Sequence, residues 1–447
     1  MSGARDRDDR PGDPAGRGGP AVPGDPAGPG DAAARQPAPD AIPAVDSRLI
    51  VREEGFRGYA GEFRRKLRSG ELGSLPVVVA IAVIWTVFGS LDSAFLSAQN
   101  LSDLSQQIVG TGMIAVGIVF VLLLGEIDLS VGSVSGLCAA LFAVLNVING
   151  MNEWLALLVA VAGGAAVGLL HGFFFAKVGV PAFVVTLAGN LAWNGLMLQV
   201  LGTSGTVNIP GDSIVAELYS TIFESPAAAY VTAAVGVGLF LLASLLDARR
   251  RRAARVPYRP LAEIVLRTAV LAAIAFAAAY ILNRYQGLPL ALLIFLVLLV
   301  VLDLVLRRTR YGRMIFAVGG NIEGARRASV SVPFVRMSVF TIAGTMAAVG
   351  GVFLAGQIQS ASQTSGGGNL LMNVIAAAVI GGTSLFGGRG SVWSALLGAL
   401  VIGSIQSGMN IMGVSNAVQF MITGSVLLAA VVVDSLSRRS QKAAGRA

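Results

Sequence analysis

Residues 108–132 read IVGTGMIAVGIVFVLLLGEIDLSVG. From Ile108 to Leu124 there is no charge and almost nothing polar, close to the ~20 apolar residues that a membrane-crossing helix needs. Two carboxylates follow, Glu126 and Asp128, between Gly125 and Gly132, with no basic residue beside them. A second apolar run then starts at Ser130. A charge at membrane depth is costly and usually faces a protein interior or a water-filled cavity. Glycine permits the unwound backbone that such a site requires. Gly125, Glu126, Asp128, Ser130 and Gly132 are therefore candidates for a broken helix lining a path. A second reading is a tight cytoplasmic turn in which Asp128 caps a helix starting at Leu129 or Ser130. The two readings are compatible.

The same apolar pattern recurs along the chain. Runs fall at 75–91, 108–124, 130–148, 155–177, 181–201, 227–246, 261–282, 289–306, 334–355, 370–386, 392–410 and 416–434. Of the 447 residues, 54% are hydrophobic and 13% charged. A soluble domain carries about 25% charged residues, so most of this surface is not built to meet water. The fold class expected is an all-α polytopic membrane protein, with about 10–12 transmembrane helices, some broken or re-entrant, and a disordered N-terminal tail. The short run from Leu370 to Ile380 is the candidate re-entrant segment.

Charge orients the runs. The net charge is +8, and the arginines cluster in connecting loops. Arg249, Arg250, Arg251, Arg252 and Arg255 lie in 247–260; Arg307, Arg308, Arg310, Arg313, Arg326 and Arg327 lie in 307–333; Arg438, Arg439 and Lys442 lie near the end. Segments 92–107, 202–226, 356–369 and 411–415 have no Lys or Arg. Under twelve crossings the basic loops fall on the cytoplasmic side, with both termini. Arg284 alone breaks the rule. The basic balance is thus topological and gives no reason to expect a nucleic-acid partner.

Residues 1–48 are Pro, Gly, Ala, Asp and Arg with few large apolar side chains, which predicts a disordered cytoplasmic tail. No apolar stretch there resembles a secretory signal, so no cleaved peptide is expected. In 49–72, Phe56, Tyr59, Phe63 and Leu67 recur at helical spacing among Arg57, Arg64, Arg65, Lys66 and Arg68. That predicts an amphipathic cytoplasmic surface helix on membrane lipid, or a basic flank for the first span. Residues 73–436 form the transmembrane domain and 437–447 a cytoplasmic C-terminal tail. Cys138 is the one cysteine, so no internal disulfide is possible. His171, the one histidine, reads as a helix-packing residue or a proton carrier.

Three further regions carry candidate sites. Residues 381–392, GGTSLFGGRGSV, repeat the pattern of 125–132, with Gly, a polar pair, Leu, Gly and then Ser-Val. Paired broken helices in two halves are a transporter signature; heavy glycine use offers a chance explanation. Gly381, Gly382, Thr383, Gly387 and Gly388 are its candidates. In 307–333, Gly320, Asn321, Glu323, Ala325, Arg326 and Arg327 read as a short exposed helix suited to dock another protein, with Asn321 as cap and Glu323 in the first turn. An ordinary basic loop is the alternative. Asn190 and Asn194 share one helix face, either joining helices or lining a polar path; Gln199 follows them. No G-x-x-x-x-G-K-[ST] or H-E-x-x-H motif occurs, so no ATP hydrolysis by this chain alone, no metal site and no catalytic residue is expected.

These three motifs, Gly125–Gly132, Tyr311–Arg327 and Gly381–Ser391, resemble in order those of the ribose/xylose branch of bacterial ABC sugar-import permeases. The resemblance spans about residues 75–436. The extra apolar pair around 227–306 is most similar to the xylose-type subgroup. The resemblance implies import of a monosaccharide, with a pentose such as xylose favoured, across the bacterial inner membrane. It also implies two permease copies, cytoplasmic ABC ATPase subunits that use ATP and Mg, and an extracytoplasmic sugar-binding protein. No cofactor would be bound by this chain. Gly320 to Arg327 would form the ATPase-coupling loop. One departure concerns its turn, since the family often has Gly near Ser329. The rivals are a proton-coupled secondary sugar transporter using Asp128 or Glu126, a lipid-linked glycosyltransferase and a passive sugar channel.

Overall fold

The computed structural model describes residues 75–256 and 258–443, with side chains to Leu436. The expected tail 1–48, the surface helix 49–72 and the side chains of 437–447 lie outside the described residues.

Among the described residues fifteen helices follow in order. They are α1 (Leu75–Leu91), α2 (Ala98–Leu123), α3 (Val131–Ile148), α4 (Glu153–Val178), α5 (Ala182–Leu201), α6 (Ile214–Ser220), α7 (Pro226–Ala253) and α8 (Leu261–Asn283). Then come α9 (Leu290–Arg308), α10 (Arg310–Gly320), α11 (Ile322–Arg327), α12 (Val332–Ile358), α13 (Leu370–Ile380), α14 (Trp393–Ile411) and α15 (Asn416–Ala443). Ten are long and apolar enough to cross a membrane, and α1 and α13 are shorter apolar helices. The protein is thus an all-α multi-pass membrane protein, and each apolar run of the sequence overlaps one of these helices.

The core is built around α12, which packs along α2, α3 and α4. Close approach needs small residues. On α4, Gly164 meets the Gly344 carbonyl of α12, and Gly168 meets that of Phe340. A Cβ at either position would collide with backbone, so the seam depends on glycine. By contrast α7 and α8 pack chiefly on each other and are largely exposed.

Two boundaries differ from the sequence expectation. Segment 92–107 was expected to be a loop, but α2 already begins at Ala98. Its polar first turns are paired: Ser97 Oγ accepts from Asn100 N–H at 3.2 Å, and Ser407 Oγ of α14 donates to Asn100 Oδ1 at 2.7 Å. Apolar counting misses a helix whose polar residues are used this way. The other boundary is α13, which at ~1.5 Å per residue cannot span a ~30 Å bilayer. Before it, the chain turns inward: the Gly366 carbonyl lies 2.6 Å from where a Cβ on Gly132 would stand. The chain passes from Ser362 at one end to Gly387 at the other, so this segment crosses as a broken helix, one of the two forms expected, and does not re-enter.

Four short strands were not expected. β1 (Thr206–Asn208) pairs antiparallel with β4 (Ser360–Ser362), and β2 (Ile222–Phe223) pairs antiparallel with β3 (Leu288–Pro289). They tie together the loops that lack Lys and Arg, 202–226 and 356–369, plus the turn after Arg284. At the other end, the three glycine-rich motifs come together.

Candidate functional site at the junction of three glycine-rich segments

The exposed helix begins with α10. Thr309 Oγ1 accepts from Gly312 N–H at 3.1 Å, and Ile315 and Val318 turn into the core. At Asn321 the backbone becomes extended and the side chain Oδ1 accepts from Gly324 N–H at 2.8 Å, starting α11. Glu323 stands in the first turn and Arg326 and Arg327 in the last, the order that suits the helix dipole. Arg326 Nη1 donates to Glu323 Oε1 at 2.9 Å, but both are solvent-exposed, so this pair adds little stability. Ala325 is buried and anchors the helix, while Glu323, Gly324, Arg326 and Arg327 are exposed. Ser329 closes the turn with φ +60°, the left-handed conformation that glycine favours. The departure at Ser329 therefore keeps the turn and alters only its cost.

The two breaks meet beneath α10. Gly388 N–H donates to the Leu123 carbonyl at 2.9 Å. A Cβ on Gly387 would stand 2.7 Å from the Gly319 carbonyl and 2.8 Å from Gly125 N. Gly125, Gly387 and Gly388 all have positive φ, so the junction requires both their conformation and their lack of a side chain. Beside it opens a cavity of about 580 Å³, lined by Glu126, Gly320, Asn321, Glu323, Arg326 and Arg336 among others. Burial pushes the Glu126 carboxyl above its ordinary value, and the positive charge of Arg336 opposes that shift. The Arg336 guanidinium sits 4.2 Å from the Phe175 ring centroid, a cation–π contact. Arg336 was missed from sequence. The available signal was a charge in the first turns of an apolar run.

Asp128 points elsewhere. It is buried, and its Oδ1 accepts from both the N–H and the O–H of Ser130, at 2.8 and 2.6 Å. His171 Nδ1 lies 3.3 Å from Ser130 Oγ, and Trp193 Nε1–H donates to His171 Nε2 at 2.8 Å. An indole N–H only donates. Nε2 therefore accepts, Nδ1 carries the proton, and the network assigns a neutral imidazole. The chain runs Trp193, His171, Ser130, Asp128, joining α5, α4 and the first break. Asp128 thus closes a turn onto Ser130 just before α3, which begins at Val131 and takes no side-chain cap, so the expected helix cap is not formed; His171 links helices.

The remaining candidates divide. Gly381 lies against the Ser394 carbonyl where α13 turns into α14, and Gly382 has φ +106°. Thr383 is 1% exposed and its Oγ1 has no partner. Asn190 and Asn194 are away from the junction, on α5 on either side of Trp193. Among the described residues neither amide has a hydrogen bond, so they do not join helices within this chain. Asn190 is half-buried and Asn194 exposed.

A bundle of membrane helices, with a short exposed helix resting over two helix breaks, is the architecture of a transport permease. The chain belongs to the family described as branched-chain amino acid transport system / permease component, which matches residues 100–431. It is 36% identical over 384 residues to the xylose transport system permease protein XylH of Escherichia coli K12, covering 86% of this chain and 95% of that protein. It is 34% identical over 381 residues to XylH of Haemophilus influenzae, covering 84% and 99%. The ribose import permease protein RbsC of Escherichia coli K12 is 30% identical over 372 residues, covering 83% and 97%. No solved structure matches the chain significantly. These relatives agree with the xylose/ribose resemblance carried by the three motifs.

Proposed function

We propose that this chain is the membrane-spanning permease subunit of an ATP-binding-cassette importer that brings a monosaccharide, with a pentose such as xylose favoured, into a bacterial cytoplasm. The observation that carries the reading is α11, an exposed helix whose root at Gly319–Gly320 touches both helix breaks. A push on α11 is thereby a push on the segments that interrupt the membrane helices. Gly320, Asn321, Glu323, Ala325, Arg326 and Arg327 form or hold the surface on which a cytoplasmic ABC ATPase docks. That partner binds and hydrolyses ATP with Mg, and this chain needs no cofactor of its own.

Gly125, Glu126, Asp128, Ser130, Gly132, Gly381, Gly382, Thr383, Gly387 and Gly388 form the two breaks that move. Asn194 is an exposed, unpartnered amide on a membrane helix, and Asn190 lies one turn away. Against lipid it would be costly. This face of α5 therefore meets a polar path completed by a second permease copy, with sugar handed over by an extracytoplasmic binding protein. The basic loops set both termini in the cytoplasm, and the membrane is the bacterial inner membrane.

The test is a pull-down of the solubilised chain from native membranes with partners identified by mass spectrometry. An ATPase subunit should be recovered and be lost in the Glu323→Ala/Arg326→Ala variant, while the variant still inserts. The buried Asp128–Ser130–His171 chain is the feature that favours a proton-coupled transporter instead. Sugar uptake by the purified chain alone, driven by a proton gradient, would establish that rival.

A further inference from the structure

A second cavity, larger than the one beside the α11 junction, lies elsewhere. It has a volume of about 1130 Å³ and lies between α1, α14 and α15, floored by the segment 381–391. Its walls are aliphatic, with Val77 and Val83 from α1, Val401 and Ile405 from α14, and Val426 and Val433 from α15. Its other end is polar. There Ser384 Oγ donates to Asp434 Oδ2 at 3.3 Å, and Arg307 Nη2 donates to Ser391 Oγ at 3.0 Å. The buried Thr383 hydroxyl beside them has no partner. Arg389 is exposed at the same end, and among the described residues its side chain makes no ion pair or hydrogen bond.

A sugar is hydroxylated on every side, and a path for it needs polar groups along its length. These walls offer none. The ligand that matches an aliphatic trough with a free guanidinium at one end is a molecule with a hydrocarbon chain and a phosphate. Guanidinium is the side chain best shaped to hold phosphate oxygens in pairs. We propose that this groove binds one glycerophospholipid, its acyl chain along α1, α14 and α15 and its phosphate on Arg389. Arg389 follows Gly388, whose N–H holds the Leu123 carbonyl. The lipid therefore braces the second break from the membrane side, opposite the face that meets α11. This assignment does not depend on the transport reading, because it rests on the groove alone.

The experiment is native mass spectrometry of the full chain, purified in mild detergent and challenged by detergent exchange. The wild type should retain one phospholipid per chain. Arg389→Gln should lower that occupancy roughly tenfold, the size of one charge-assisted hydrogen bond. Ala430→Phe, which fills the trough, should remove the lipid, and Val83→Phe should do the same from the opposite wall. The exposed Arg389 variant keeps the test decisive if a filled-groove variant fails to fold. Equal lipid retention by the wild type, Arg389→Gln and the filled-groove variants overturns the proposal. So does a wild type that carries no lipid. Loss of a dimer in the filled variants with lipid content unchanged would overturn it too, by making the groove an interface between copies.

Discussion

Gly319 stands so close to Leu123 that a Cβ on the glycine would fall on the leucine carbonyl oxygen. Its neighbour Gly320 has nothing within 4 Å of its own Cβ position. Identical substitutions one residue apart should therefore separate. Gly319→Ala must push α10 away from the end of α2, at a cost of about 1–3 kcal/mol for overpacking. Gly320→Ala should be close to neutral. Thermal unfolding of the two variants in one detergent checks this, with sugar uptake as the second readout. Equal melting temperatures would mean that the junction yields and that contact between α10 and the first break is loose.

Ser329 gives a gain rather than a loss. It holds φ +60° at the end of α11, where its N–H donates to the Arg326 carbonyl at 3.0 Å. A left-handed residue other than glycine costs roughly 1–2 kcal/mol. Ser329→Gly should recover part of that, about 0.5–1 kcal/mol once the extra freedom of glycine in the unfolded chain is subtracted. The readout is the melting temperature, which should rise. A fall would show that the serine side chain makes a contact worth more than the strain.

Much of this fold was legible because lipid imposes one rule, that each crossing be a long apolar helix. Each apolar run of the sequence overlaps one helix, and 75–91 is α1 to the residue. The α10–α11 turn was legible too, since an Asn three residues before a glycine N–H has one obvious job. Legibility failed where polar side chains answer one another across the fold. Asn100 and Ser407 lie far apart in sequence, so the start of α2 looked like a loop. Trp193 was invisible as the partner of His171 for the same reason. The contact between the two breaks was also hidden, because a repeat in sequence says nothing about whether its copies touch.

The buried chain from Trp193 to Asp128 can be cut at a single atom. Ser130→Ala removes the hydroxyl that donates to Asp128 and leaves the Ser130 backbone N–H in place. It also leaves His171 Nδ1–H without an acceptor. A buried donor left unsatisfied costs about 1–3 kcal/mol, and the carboxylate loses one of its two hydrogen bonds. Ser130→Ala should lower the melting temperature by several degrees, whereas the exposed Ser329 site moves it the other way. Ser130→Cys, with a weak donor of similar size, should fall between wild type and Ala. An unchanged Ala variant would mean that Asp128 and His171 find other partners and that this chain does not hold α4 to the first break.

Glu126 should make stability depend on pH in a defined direction. Its folded value lies above the ordinary 4.5 because burial outweighs the pull of Arg336. The native state therefore binds this proton more tightly than the unfolded chain does. The resulting stability is full below the ordinary value and is lost as pH rises through the raised one. At neutral pH the ionised carboxylate is a burden, so Glu126→Gln should melt higher than the wild type there. The gap should close as the pH falls below 4.5. Arg336→Gln removes the opposing charge and leaves burial alone, so it should move the wild-type loss of stability to higher pH. Melting curves of the three proteins across pH 4 to 8 decide the matter. A Gln variant that melts lower than the wild type at neutral pH would show that the Arg336 attraction outweighs burial. Glu126 would then be a held ion pair between the first break and the root of α12.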